Sequence, residues 1–348
     1  MANYRNENVL LFSLCRSHAR AVDGYALAFL TILTAAASIL CAANPHNSIS
    51  PSSPFSLCAR LPRSTRAICT MSASSGAPTA TSSGNPSPFP ARYEIRQLTS
   101  ADLTAATALV AHWNLFHSPL WSAVYASRAT ELTLATAQQA TYFIQHQIDS
   151  GLSYGVFDTQ YQYKRAESAA TGGRLYWDFA DTTVDGATLL EQIDFPLVSV
   201  ALSYDQFDPL DARQMMPFIQ LMPLFSTVYA ALAAGEKRSP ADWSATAAGQ
   251  VLMRNGSVTR FDYEGQRLLE GTAQWLMREA ALKGFRAIQI EGGSEAINQT
   301  WLHPPAPFTA ELVANFDTAT YEEDGPNGEK LHPFAPATVL ITKIYVTL

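Results

Sequence analysis

The chain has 348 residues, of which 47% are hydrophobic, 15% charged and 11% aromatic, a globular composition that excludes disorder throughout. Its formal net charge is −7, unevenly divided: residues 1–70 carry six arginines against two acids, and residues 71–348 carry 17 basic against 28 acidic side chains, net −11. An acidic body excludes a general nucleic-acid binder, which needs a basic stripe to displace counterions from phosphates. All four cysteines (Cys15, Cys41, Cys58, Cys69) lie in the first 70 residues, so the body holds no disulfide framework, thiolate metal site or cysteine nucleophile.

At the N-terminus, residues 25–43 form an uncharged run close to the ~20 apolar residues a membrane-spanning helix needs, preceded by Arg5, Arg16 and Arg20. Three readings stand open for residues 1–70: a membrane anchor or signal, an organelle transit sequence, or an upstream extension absent from the mature chain. The last leaves a cytoplasmic protein; the others place it at a membrane or in an organelle. Residues 71–91, rich in Ser, Thr, Pro and Gly, read as a disordered linker, and the folded domain is expected from 92 to 348.

The body opens with a strand at Tyr93–Leu98 and a helix from Ser100. An aromatic stretch, Trp113 to Tyr125, leads to a second helical pattern over about 131–150, ended by Gly151, and then a strand at Tyr154–Asp158. Further strands are expected at Arg174–Phe179 and Pro196–Tyr204, the second uncharged, β-branched and hence central. Residues 206–249 read as a helical insertion, Met- and Phe-rich and punctuated by Pro217 and Pro223, that either packs on the sheet or lines an acyl or substrate pocket. Val251–Met253 and Val258–Phe261 are strand-like on either side of Asn255-Gly256, which marks a hairpin or a bulge within one strand. A short loop, 263–267, precedes a helix through Lys283 whose Leu269, Ala273, Leu276 and Ala280 make one apolar stripe. Gly284 ends it, and Ala287–Ile290 returns as a strand, parallel to the first by a right-handed crossover. The tail holds proline-fixed loops and a last strand at Val339–Val346 that finishes the sheet. His117 is read as a structural histidine, and Gly292-Gly293-Ser294 lacks the flanking pattern of a serine nucleophile.

Strand, short glycine-containing loop, long helix and then K-G-F-R-A-I-Q-I-E, preceded by the β, α, α, β order from Tyr93, resembles the acyl-CoA-binding core of the GNAT superfamily of N-acyltransferases over roughly residues 92–302. It is also similar to fungal GNAT-like proteins. The resemblance implies an α/β fold with a mixed, mostly antiparallel central sheet, helices on both faces and the helical insertion. It further implies acetyl-CoA or another acyl-CoA as co-substrate, no metal, and a small-molecule amine as acceptor, in fungal specialised metabolism. In the family such a loop reads R/Q-x-x-G-x-G/A and holds pyrophosphate on backbone N–H groups at a helix N-terminus. The matching residues here are Glu264, Gly265, Gln266, Arg267, Leu268 and Leu269, so a carboxylate replaces a cation or amide and side chains replace both small positions. Gly265, Gln266 and Arg267 are the cofactor-loop candidates, with a backbone N–H near Val258 or Arg260 to polarise the thioester. Where the family has N-x-x-A-x-x-x-Y, this chain has Ser294, Ile297 and Trp301, which leaves Ser294, Tyr263 or water as proton donor. Glu291 is the first candidate base, followed by Asp205 and Asp262. A GNAT-fold binding protein without catalysis is the alternative expectation.

Overall fold

The structure, a computed structural model, describes residues 85–348. The apolar run at 25–43 and the first part of the linker lie outside the described residues.

Strand β1 (Tyr93–Gln97) is followed by helices α1 (Leu103–Phe116), α2 (Ala129–Gln139) and α3 (Thr141–Asp149) and strand β2 (Tyr154–Asp158). Strand β3 (Leu197–Asp205) leads into the insertion, helices α4 (Ala212–Leu221) and α5 (Leu224–Gly235). Then come β4 (Val251–Thr259), α6 (Leu268–Leu282), β5 (Ala287–Gly292), α7 (Glu295–Leu302), β6 (Thr309–Asp317) and β7 (Leu340–Thr347). The seven strands form one sheet in the order β1-β2-β3-β4-β5-β7-β6. Every neighbouring pair is antiparallel except β4 and β5, the pair joined by the α6 crossover. This is the mixed, mostly antiparallel sheet expected.

Helices cover both faces. On one, α1 to α5 bury Leu109, Leu132, Ile144, Met215 and Phe218 against Val200, Leu202 and Val258. On the other, α6 and α7 bury Leu276, Met277 and Trp301 against Ala201, Leu252, Ile288 and Ile344. Alternation along β3 serves both cores, which is why its first eight residues are all buried and why it reads as an uncharged run. No single described helix is long and apolar enough to cross a membrane; α4 and α5 reach that composition only together, bent by 117°.

Several expectations differ in detail. The single helix over 131–150 is two, broken at Ala140, so that α2 lays Leu132 and Leu134 beside α1 while α3 turns Phe143, Ile144 and Ile148 toward the sheet. Arg174–Phe179 contributes only a two-residue pairing of Arg174–Leu175 with Ile193–Asp194, because Trp177 leaves the strand direction to bury its ring and donate Nε1–H to the Leu189 carbonyl at 2.8 Å. The last strand does not finish the sheet at an edge; β7 is inserted between β5 and β6, consistent with six consecutive buried residues. The edge position goes to β6, whose exposed Glu311 and Asp317 make it look like loop. Residues 85–91 are not a free linker: Asn85 is buried, donates Nδ2–H to the Trp275 carbonyl at 2.8 Å and accepts Trp275 Nε1–H at 3.2 Å. Phe89 presses against Gly271, where a Cβ would meet its ring at 2.4 Å.

Candidate functional site

The site begins with the way β4 leaves β5. The two pair in parallel only from Val251–Arg254 against Ala287–Ile290; beyond Arg254, β4 continues along β3 alone to Thr259. A register shift opposite Ala201–Ser203 marks a bulge there, and Gly256 takes φ 119°, a conformation side chains rarely adopt. The Arg254 guanidinium, fully buried, donates to the Leu202 and Gly256 carbonyls and to Ser257 Oγ, filling acceptors that the bulge takes out of the ladder. Burial without a carboxylate partner lowers its pKa to about 9. The two strands therefore diverge into a V with one edge of β4 open. Arg260 N–H bonds to the Val198 carbonyl at 2.8 Å, so strand alternation points the N–H of Ser257 and Thr259 the other way, toward the V.

A cavity of about 140 Å³ fills that opening. Its floor is Asn255–Val258 of β4 and Ile290–Gly293 around the end of β5; its walls are one face of α1 (Thr107, Ala111, Asn114) with Ser118 just past its end, the α2–α3 corner, and Phe218, Met222, Phe225 and Tyr229 of the insertion. The insertion thus both packs on the sheet and walls the cavity.

Glu291 stands at this floor. Gln289 donates Nε2–H to its Oε1 at 2.9 Å, while Oε2 is shielded from solvent with no well-aligned donor, and the Tyr229 hydroxyl lies near enough to the carboxylate to favour its charged form. Burial raises its pKa, opposed by the Gln289 bond and the charge of Lys343, its register partner on β7. Lys343 is itself held by Glu236 at 3.1 Å and lies over the Trp243 ring, so its charge is mostly spent. Burial, then the negative charge of Glu291, pushes Tyr204 and Tyr229 above the ordinary tyrosine range, with the Asn255 amide opposing the shift in both. Glu291, Tyr229 and Asn255 form one polar cluster on the cavity lining, with the Tyr204 hydroxyl behind it. Tyr204, Tyr229 and Asn255 were not legible as site residues, because tyrosines in apolar runs read as core.

The other sequence candidates divide. Asp205 sits at the opposite end of β3, where it accepts from Phe207 N–H at 3.0 Å and Gly249 N–H at 2.6 Å; it caps the insertion and does not line the cavity. Ser294 is the N-cap of α7, accepting from Ile297 N–H. Tyr263 commits its hydroxyl to Asp158 at 2.8 Å, and Asp262 pairs with Arg260. The Arg260 guanidinium is buried against Asp262 and the Phe195 carbonyl, a structural cation whose N–H is also used. Val258 lines the cavity. Trp301 is fully buried in the α6–α7 core.

The loop ahead of α6 keeps a glycine-like backbone despite its side chains. Gly265 takes φ 76° and Arg267 φ 56°, and Arg267 is the one non-glycine residue with positive φ among the described residues. Its side chain points out and pairs with Glu270 at 2.8 Å. A Cβ at Gly265 would meet nothing within 4 Å, so the space before the loop is open. Gln266 accepts from the Tyr93 hydroxyl, and Glu264 accepts Trp113 Nε1–H at 2.7 Å, tying the loop to α1. The first-turn N–H groups of α6 have no intrahelical acceptor, so this backbone fits an anionic group. The side chains supply little net positive charge.

Sheet order, the one parallel pair, the V and the crossover helix define a GNAT-like fold. No protein-family profile matches the sequence, and no curated protein matches it. Solved structures do. The chain is similar to arylalkylamine N-acetyltransferase 2 from Aedes aegypti (12% identity, 73% of this chain and 97% of that one, TM-score 0.47). It is also similar to an apo agmatine N-acetyltransferase (11%, 74% and 100%, 0.44) and to the C-terminal condensation domain of Ebony bound to β-alanyl-dopamine (12%, 73% and 98%, 0.44). The likeness is one of fold.

Proposed function

We propose that the protein is an acyl-CoA-dependent N-acyltransferase, acetyl being the first acyl group to test, acting on a small primary amine. The observation that carries this reading is the Glu291 carboxylate, desolvated at the floor of a partly open cavity where β4 and β5 part. An acyl-CoA brings an activated thioester. The loop from Gly265 to Arg267 and the first turn of α6 offer it backbone N–H groups, and the open edge of β4 at Ser257 and Thr259 offers fixed donors to the developing oxyanion. Glu291 takes the proton that the attacking amine must lose, and a raised pKa makes it a stronger base than an exposed glutamate. Tyr229, the cavity hydroxyl beside it, returns a proton to the departing thiolate, the task for which Trp301 has no suitable group. C–N bond formation, C–S bond cleavage and one proton moved from amine to thiol complete the reaction.

The test is coenzyme A release from acetyl-CoA across a panel of primary amines. Turnover is expected, with Glu291→Gln reducing it by roughly 10²–10⁴ while acetyl-CoA still shifts the melting temperature. Acetyl-CoA binding with no release above hydrolysis for any amine would leave a GNAT-fold binding protein.

A further inference from the structure

Glu291 has a cation directly across the sheet, and that cation is turned away from it. Lys343 on β7 is its register partner, and side chains directly opposite in an antiparallel pair stand about 4.5–5.5 Å apart at Cβ, close enough for an ion pair. The Lys343 ammonium instead meets Glu236 Oε2 at 3.1 Å and lies 4.5 Å over the Trp243 ring, with 8% of its side chain exposed. Of the described residues that line the cavity, Glu291 is the only one that carries a charge. The other groups that face it are Gln289 of β5, Asn255 of β4, Tyr204 of β3 and Tyr229 of α5, all uncharged near neutrality. Lys343 is therefore the cation that acts on it.

Glu236, the residue that ends α5, is itself held firmly. Its carboxylate accepts from Arg238 N–H at 2.9 Å, from Arg238 Nε at 3.0 Å and from Arg238 Nη2 at 2.9 Å, in addition to Lys343. Arg238 lies 4.7 Å over the ring of Tyr345, on the same face of β7 as Lys343. Despite its burial, Glu236 is held by these donors at a pKa of about 2, so it stays ionised wherever Glu291 titrates. Without Glu236 the buried ammonium needs another carboxylate. Glu311, opposite Tyr345 on β6, is 60% exposed and already engaged by Arg238 at 3.4 Å, whereas Glu291 is desolvated and directly opposite. Attraction is least screened between desolvated charges, which favours Glu291. An ammonium there would stabilise the ionised carboxylate, weaken it as a base and place an amine of the chain itself where the substrate amine belongs.

We propose that Glu236 is a positioning residue: by holding Lys343 on the insertion side, it keeps Glu291 free of an ion pair and available to the substrate amine. This rests on the acyltransferase reading for what Glu291 does, while the direction of the lysine stands on the strand register and the ion pair alone. The insertion then contributes more than a cavity wall, because the end of α5 sets the strength of the base on β5.

The test is a pH titration of the full chain by NMR, with carbon-13 at the glutamate side-chain carboxyls and the Glu291 resonance identified by its loss in Glu291→Gln. Glu236→Gln is expected to lower the Glu291 midpoint by about 1 pH unit or more, the effect of an opposite charge brought within about 4–6 Å. Lys343→Met is expected to raise it. In the Lys343→Met background, adding Glu236→Gln should lower the midpoint by less than half as much as it does alone, because Glu236 acts through the ammonium. An unmoved midpoint in Glu236→Gln overturns the proposal, and so does an equal fall in the Lys343→Met background, which would assign the effect to the lost charge of Glu236 itself. Should Glu236→Gln fail to fold, Glu236→Asp keeps the charge and withdraws it by one methylene; a fall in the midpoint is expected there too, and no fall overturns the proposal. The acid limb of kcat/KM should move with the midpoint in each variant. A moved midpoint without coenzyme A release from any amine keeps the role of Glu236 toward Lys343 and ends the acyltransferase reading; release with an unmoved midpoint does the reverse.

Discussion

At the scale of single residues, the site turns on groups that are more expensive to bury than to expose. Glu291 is the clearest. Its folded pKa is raised, so between the ordinary glutamate value and that raised value the folded chain holds a proton that the unfolded chain has released. Stability contributed by this position is therefore present at low pH and lost as pH rises through the window. Glu291→Gln is expected to melt at or above wild type near neutrality and to converge with it at about pH 4, by calorimetry at a series of pH values. The same ionisation should appear as the acid limb of kcat/KM, displaced above the usual carboxylate range and absent from any residual activity of the variant. Arg267 stores cost differently, as a left-handed backbone with an exposed side chain whose ion pair to Glu270 is worth little. Arg267→Gly should stabilise the fold by up to about 1 kcal/mol in urea denaturation, since only glycine occupies φ 56° freely. A loss of stability there would mean that the Glu270 pair matters more than its exposure suggests.

At the scale of elements, β4 does the structural work that makes a site possible. One bulge, held by Gly256 and the Arg254 guanidinium, turns a regular ladder partner of β5 into the wall of a V. Gly256→Ala forces a side chain into φ 119° with Leu202 at 3.2 Å, and is expected to cost about 1–3 kcal/mol. Because the strain falls on the bulge, it should also weaken acetyl-CoA binding, whereas Gly284→Ala, in a left-handed cap remote from the V, should destabilise without that second effect. Much of this element was legible: the apolar runs on both sides of Asn255-Gly256, the stripe of α6 and Gly284 fix strand, helix and strand by local chemistry. What was not legible is long-range. Whether Asn255-Gly256 turns the chain or bulges it depends on β3 continuing beside it, and only the fold supplies that. Asp205 and Ser294 carry the right atoms at plausible positions, yet each is consumed by the N–H groups of a cap, a local use no less natural than catalysis. Tyr229 was invisible for the opposite reason: it lies in an insertion whose path over the V is set by packing of Met215, Phe218 and Phe225, with no motif of its own.

At the scale of the whole molecule, the sheet separates two cores that respond differently to pH. The α6–α7 core contains the uncharged Trp301, Leu276 and Ile344. The α1–α5 side contains His112, 3% exposed, whose pKa burial lowers to about 4, with the bond to the Gly186 carbonyl and the charge of Asp262 opposing and His117 adding to the shift. Between roughly pH 6.5 and 4 the unfolded chain binds a proton at this position and the folded chain does not, so stability falls as pH falls across that window. The loss approaches on the order of 3 kcal/mol by pH 4. Glu291 opposes it over part of the same range, being lower in stability as pH rises. The carboxylates held below their usual values, Asp158 by the Arg92 ion pair and Glu236, despite its burial, by Arg238 and Lys343, begin to lose stability only at more acid pH. His112, together with His117, whose pKa burial also lowers, is thus the reason for the first acid loss. Urea denaturation at half-unit steps should show a slope between pH 6 and 4.5 that His112→Gln, which can still donate to Gly186, flattens while leaving the loss below pH 4 in place. An unchanged slope in that variant would move the acid sensitivity from His112 to His117, which stacks on Phe261 and whose pKa burial also lowers.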